Sequence, residues 1–365
     1  MYQVQKRIFA LDIFRGLAIL IMIFVDAPPA QTYSWQAHAM WEGLTLADMT
    51  FPAFVFAMGA SAAVSKKSAD IKKILMRSAI LFLIGVIFNM KWDFFTFLFH
   101  SDFTAADLFD ATIIHGRFFG ILQRLALTYL LGMLIAKFIN IEENILISAF
   151  VLLILSSIGF HVYSPAEPFL LENNISGAVD KIFPGVNHIY TPNGDPEGLY
   201  GTISSTAQFL LGFLTGKILS DNLFLRDKIY NLSMLGVIFT VTGFAWTYFD
   251  IIAKNIWTAP FTLITSAINI FIIVLLLKIP PLEFLMPVNS IGKNPLLFFL
   301  ASNIIVSILC NIPISDSNIW TALWQNTLQG FISDEFSVMI FCIIWTLFWI
   351  PFAIILDKFG IIIKI

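Results

Sequence analysis

Residues 36–52 read QAHAMWEGLTLADMTFP, with the apolar run ILIMIFV (19–25) before them and FPAFVFAMGASAAV (51–64) continuing out of them. The link carries His38, Trp41, Glu42 and Asp48, in a chain that has few ionisable groups elsewhere. Its flanks read as membrane segments, so the question is why a histidine, a tryptophan and two acids stand at the mouth of one.

Composition supports the membrane reading. Of 365 residues, 58% are hydrophobic and 12% charged, where a soluble domain carries about 25% charged residues. A mean hydropathy of +0.84 and 38 phenylalanines leave too little polar surface to face water. Lipid-facing helices tolerate this because their backbone groups are satisfied internally. A net charge of −3 argues against nucleic acid as a partner. Two cysteines, Cys310 and Cys342, both in apolar runs, build neither a disulfide framework nor a zinc site, and no metal is expected. Lys6 and Arg7 before an apolar run have the outline of a signal peptide, but Asp12, Arg15 and Asp26 fit such a run poorly.

Windows of about 20 apolar residues mark spans. Ten are expected: 12–27, 46–64, 72–90, 118–138, 144–163, 201–219, 231–250, 259–278, 294–311 and 335–356. The chain reads as all-α and polytopic, one transmembrane domain over 1–365. With the N-terminus inside, 15 of the 21 Lys and Arg residues fall in cytoplasmic segments and four outside (Lys91, Arg117, Lys181 and Lys254), leaving Arg15 and Arg124 within spans. That asymmetry puts both termini in the cytoplasm. The outer loops 28–45, 91–117 and 164–200 are long, and a short amphipathic helix is expected in the first.

The candidate residues sit on that outer side. His38 exchanges a proton near neutrality, or is an ordinary interfacial histidine. Trp41 and Glu42 follow at helical i+3 and i+4 spacing, although Trp41 also suits an interfacial aromatic belt. Asp12 and Arg15 are spaced to pair with each other, whereas Asp26 and Asp48 stand at the outer ends of adjacent helices. Asp26 is a candidate orienter of His38 or a second base. Gln123 and Arg124 lie about two turns inside the fourth span, where a charge costs about 2.5–3.5 kcal/mol, so Arg124 needs an acid or an anionic ligand. Asp195 and Glu197 in DPEGLYGT (195–202) also suit a helix start. KNIWT (254–258) offers Lys254, Asn255 and Trp257, and GKNP (292–295) puts Asn294 at a helix entrance.

Several stretches, in order along nearly the whole chain, resemble the transmembrane heparan-α-glucosaminide N-acetyltransferase family. They are ALDIFRGLAILIMIFVD (10–26), HAMWEGLTLADMTFPAFVFAMGAS (38–61), GILQRLALTYL (120–130), GAVDKIFPGVNHIY (177–190), DPEGLYGTISS (195–205), KNIWTAPF (254–261) and IIIKI (361–365). The resemblance implies transfer of acetyl from cytosolic acetyl-CoA to the amine of a terminal glucosamine-type sugar across the membrane. It places the family's catalytic histidine on His38. Asp26 stands where the family has an assisting asparagine, a departure that leaves the division of roles open. The GKNP stretch also departs from the family's small-residue pattern.

On this reading Gln123, Arg124, Lys254, Asn255 and Asn294 serve acetyl-CoA, with Lys66, Lys67, Arg226 and Lys228 at the nucleotide end. Trp41, Asp48, Asp180, Asp195, Glu197 and Trp257 shape the sugar site. His38 acts as general base or as a transient acetyl carrier. The resemblance implies a compact bacterial form in the inner (plasma) membrane, without the animal luminal domain; a homodimer through Phe-rich helices is a further expectation. Two other readings stand beside it: an O-acyltransferase of cell-envelope glycans, and a transporter of amino sugars or small acids.

Overall fold

A computed structural model describes residues 8–65, 70–139, 142–331 and 333–363. Five of the cations used to orient the chain, Lys6, Arg7, Lys66, Lys67 and Lys364, lie outside the described residues.

Among the described residues the fold is helical apart from a β-ladder, Pro313–Ile314 against Ser317–Asn318, an isolated bridge between Thr191 and Gly194, and a bridge residue at Gln329. In chain order the α-helices are α1 (Phe9–Val25), α2 (Leu46–Val64), α3 (Ile71–Asn89), α4 (Lys91–Phe99), α5 (Ala105–Phe109), α6 (Ile121–Phe138), α7 (Glu142–Tyr163) and α8 (Ile175–Asp180). There follow α9 (Thr202–Ser220), α10 (Leu225–Trp246), α11 (Ala259–Lys278), α12 (Met286–Lys293), α13 (Pro295–Asn311), α14 (Ile319–Thr327) and α15 (Asp334–Lys358).

Each of the ten expected windows falls on a helix. Among the described residues, α2, α6, α7, α10, α11 and α15 are long and apolar enough to cross a membrane, six in all; the bent pair Glu283–Lys293 and Pro295–Asn311, turned by 80°, brings the number to seven. The others fall short for visible reasons. Helix α1 has 17 residues, and α3 opens with Lys72, Lys73 and Arg77. Helix α9 is rich in serine and threonine because it forms the axis of the bundle rather than a lipid-facing wall.

Small residues let that axis form. A Cβ added at Gly212 would stand 2.1 Å from the Phe56 carbonyl oxygen, and one at Gly216 would stand 2.2 Å from that of Ala60. Helices α2 and α9 therefore meet backbone to backbone, the contact that small-xxx-small spacing permits in membranes. Polar side chains then tie the axis to its neighbours: Ser204 to Ser156 of α7, Ser205 to Thr128 of α6, and Gln208 to Thr265 of α11. Helix α11 is 72% buried over its most apolar window, but α10 and α15 only 22%, so the last two present their apolar faces outward to lipid.

The bundle has two unlike ends. At one, α1 terminates at Asp26 and the loops 26–45, 90–120, 164–201 and 247–258 converge. At the other, Arg15 pairs with Asp12 at 3.3 Å, as their spacing suggests, and Lys293 pairs with Asp357. The segment 28–45 contains turns and bends but no α-helix, contrary to expectation. Pro28 and Pro29 break its start, and Gly43 at φ 121° turns its end.

Candidate active site

Helix α2 begins with the sequence Thr45-Leu46-Ala47-Asp48, a capping box in which Asp48 closes back on the Thr45 N–H. One carboxylate oxygen of Asp48 accepts from Thr45 N (3.1 Å), Thr45 Oγ1 (2.8 Å) and Ala39 N (3.1 Å). The other stands 2.9 Å from His38 Nδ1. Asp48 is fully buried while His38 is about half exposed, its side chain at 49%. An ionised carboxylate only accepts, so the hydrogen bond to Asp48 calls for a proton on Nδ1. The carboxylate within hydrogen-bond distance of His38 is that of Asp48, which the sequence reading places at the sugar site.

Lys254 comes from the loop between α10 and α11, which meets the His38 loop at this end of the bundle. Its Nζ lies 2.9 Å from His38 Nδ1, 3.4 Å from Nε2 and 3.6 Å from Asp48 Oδ1, an ammonium against the imidazole. The turn that delivers it is held by Trp257, whose φ of 51° lies in the left-handed region that a bulky side chain avoids. The Trp257 indole is buried, donates to Gln208 Oε1 at 3.1 Å and packs edge-on to Phe51 and Phe261. That packing holds the strained backbone in place. Asn255 Nδ2 donates to Met40 O and Gly43 N to Ile252 O, so the turn and the His38 loop are zipped together.

An acid–base cluster lies beside this pair. Arg117 grips Asp195 with two donors, at 2.8 and 2.5 Å, and also donates to Glu197 Oε2. Burial would raise the Glu197 carboxyl, but the charges of Arg117, Lys254 and Arg124 hold it below the usual glutamate range. Burial and the Arg117 charge push Lys91 down to about 8, against the opposing pull of Asp26 and Asp93. Asp26 itself feels the charges of His38, Lys254, Lys91 and Glu197. Asp180 is buried and accepts from Asp195 N (3.1 Å) and Leu199 N (3.0 Å), bracing the loop that carries Glu197. Burial pushes its carboxyl up to about 6.

Other expected site residues are placed differently. Trp41 does not share a helical face with His38 and Glu42, because 38–43 is bent rather than helical; its indole donates to Phe169 O at 2.9 Å. Gln123 and Arg124 lie in the first turn of α6, not two turns inside it, since the helix begins at Ile121. Arg124 is still fully buried. It donates to Gly198 O at 2.6 Å and faces the Trp257 ring at 5.2 Å, while its Nε and Nη1 have no protein partner. Gln123 donates to Phe118 O and leaves its buried Oε1 unpaired. Asn294 stands apart: its amide donates to Ile361 O and accepts from Ile363 N, clamping the tail at the opposite end of the bundle. Lys228 donates to Leu219 O, and Lys66 and Lys67 lie outside the described residues.

Two site residues, Arg117 and Lys91, were read from sequence only as outer-loop cations. The signal was the positive-inside asymmetry itself. Of the four cations assigned to the outer side, Lys91, Arg117 and Lys254 all enter this cluster.

A family model described as heparan-alpha-glucosaminide N-acetyltransferase, catalytic, matches residues 7–176, the part that contains His38, Asp48, Arg117 and Arg124. Nearly half of the chain is thus similar to the catalytic part of that family. The mouse protein named heparan-alpha-glucosaminide N-acetyltransferase is 26% identical over 378 residues, covering 82% of this chain and 54% of the mouse protein. The human protein of the same name is 26% identical over 373 residues, with 82% and 53% covered. The chain thus spans about half the length of these curated relatives of the heparan-alpha-glucosaminide N-acetyltransferase family.

Proposed function

We propose that this chain moves an acetyl group from cytosolic acetyl-CoA to the amine of a terminal glucosamine-type sugar on the other side of the membrane. The observation that carries the reading is the anchored imidazole: a half-exposed His38 held by a buried, fully engaged Asp48, with Lys254 Nζ alongside both ring nitrogens. In this reading all ten helical windows traverse the bilayer, both termini are cytosolic, and the membrane is the inner membrane of a bacterium.

The amine must be unprotonated to attack. As its nitrogen bonds to the thioester carbonyl carbon, His38 Nε2 takes the departing proton, and the carbon–sulfur bond breaks to release the CoA thiolate. General-base help of this kind is worth about 10²–10⁴-fold. Asp48 keeps the second nitrogen protonated and stabilises the imidazolium that forms. Lys254 is placed to offset charge developing on the carbonyl oxygen. Acetyl-CoA fits the groups that the protein leaves unsatisfied. Arg124 Nε and Nη1, Gln123 Oε1 and both amide atoms of Asn269 are buried without partners, each costing about 1–3 kcal/mol unless a ligand or water reaches it. Glu197 and Asp26, beside His38 and Lys254, suit the hydroxyls and amine of the sugar.

The test is transfer from radiolabelled acetyl-CoA to glucosamine by purified protein, with His38→Ala as comparison. Acylation of the amine by wild type, lost in a variant that keeps its thermal transition, is the expected result. Failure of wild type to bind acetyl-CoA overturns the proposal.

A further inference from the structure

A second histidine–carboxylate cluster lies away from His38. Ser157 Oγ donates to Asp250 Oδ1 at 2.9 Å, and His161 Nε2 stands 3.0 Å from the same oxygen. Trp246 Nε1 reaches Ser157 Oγ at 3.5 Å. Asp250 is buried, and its Oδ2 has no protein partner. The serine hydroxyl points to the aspartate rather than the imidazole, so this is not a nucleophile with its base; binding is the role left to it.

The cluster closes one side of a groove of about 660 Å³ between α7 and α10. Phe150, Ile158, Val162, Ala245 and Phe249 make its walls apolar, with Ser157, His161, Thr242 and Trp246 as the polar part. Both helices are long and apolar enough to cross a membrane, and over their most apolar windows only 33% and 22% is buried, so the groove opens toward hydrocarbon. What fills an apolar groove facing a bilayer is a lipid chain. The same elements lead to the candidate active site. The His161 ring packs edge-on to Phe169 at 5.5 Å, and the Phe169 carbonyl accepts from Trp41. Asp250 stands in the loop that delivers Lys254 to His38.

We infer that the acceptor is a glycolipid, with its chain seated between α7 and α10 and its amino sugar directed along the 247–258 loop to His38. This rests on the acetyltransferase reading above and names its substrate class. Charge favours a neutral glycosidic link at the groove's polar end: the acid Asp250 lies there, and no lysine or arginine lines the groove. A phosphate at that position would meet a carboxylate.

The experiment compares dodecyl and methyl β-glucosaminide as acceptors in nanodiscs, for wild type and for Ala245→Trp, which fills the groove from its exposed wall. Partition into the bilayer is common to both proteins, so only the groove changes the ratio of the two rates. Wild type should prefer the dodecyl acceptor, and Ala245→Trp should lower that preference at least about tenfold, the effect of displacing a few buried methylenes. An unchanged ratio overturns the inference. A dodecyl glucosaminide with a terminal diazirine supplies the second measurement. Photolabelling of residues 150–162 or 242–249 is expected, and labelling confined to other helices overturns the groove. Labelling in the groove without acetyl transfer to either acceptor sinks the acetyltransferase reading and leaves the lipid site standing. Transfer to both acceptors without chain preference or groove labelling does the reverse.

Discussion

His38 and His115 each place Nδ1 2.9 Å from an aspartate oxygen, one on Asp48 and the other on Asp110. Distance does not separate the two pairs; their surroundings do. The side chain of Asp110 is 60% exposed and that of His115 54%, so water competes for both partners, and such a pair is worth about 0–1 kcal/mol. The side chain of Asp48 is 1% exposed, and three donors hold its second oxygen. Its carboxylate cannot turn away from His38 without leaving those donors unpaired. Lys254 completes the difference, because it arrives from a strained turn 216 residues away in sequence. A histidine–aspartate contact becomes an instrument for moving protons when the acid is locked and the imidazole stays reachable.

That contrast can be broken at several points. The largest effect is expected from His38→Ala, which should lower acetyl transfer about 10³-fold, while His115→Ala stays within about threefold; equal losses in a steady-state assay would erase the distinction. Asp48→Asn comes next. It presents an amide that need not hold the Nδ1 proton, so kcat should fall about a hundredfold, while Asp110→Asn leaves kcat in place. Preserved helicity and an unshifted elution volume would show that the loss is not unfolding. Lys254→Met keeps the length of the side chain and removes its charge, for an expected loss of about tenfold in kcat/KM. If activity is unaffected, the ammonium only packs.

The smallest effect concerns the brace behind the site. Asp180 is buried, and burial raises its carboxyl from 3.8 to about 6. Stability from a raised group is complete below the unfolded value and is lost as pH rises through the folded one. The stability of wild type relative to Asp180→Asn should therefore decline between about pH 4 and 6.5, by at most about 3 kcal/mol. Thermal unfolding of both proteins across that range measures it; a flat difference would mean that water reaches the carboxylate.

Much of the fold was legible in the order of residues, because a membrane leaves few solutions: apolar windows must be helices, and all ten are. Counting spans was less secure. The window 201–219 reads as a span, yet Ser204, Ser205, Thr206 and Gln208 of α9 are buried against other helices, a fact that no window of hydropathy contains. In the site, His38 stood out as a titratable group in a chain short of them. The role of Asp48 was present locally as the Thr-x-x-Asp start of α2 but competes in any reading with a simple helix cap, and the structure shows it serving both.

Composition, charge asymmetry and motif order together settled that this is a helical membrane protein with its polar chemistry gathered at one end, since each reflects a local transfer free energy summed along the chain. The partnership of His38 with Lys254, of Arg117 with Asp195 and Glu197, and of Asp250 with His161 belongs to the fold. These contacts join residues 78 to 216 positions apart, and nothing but helix packing brings such groups within hydrogen-bond distance.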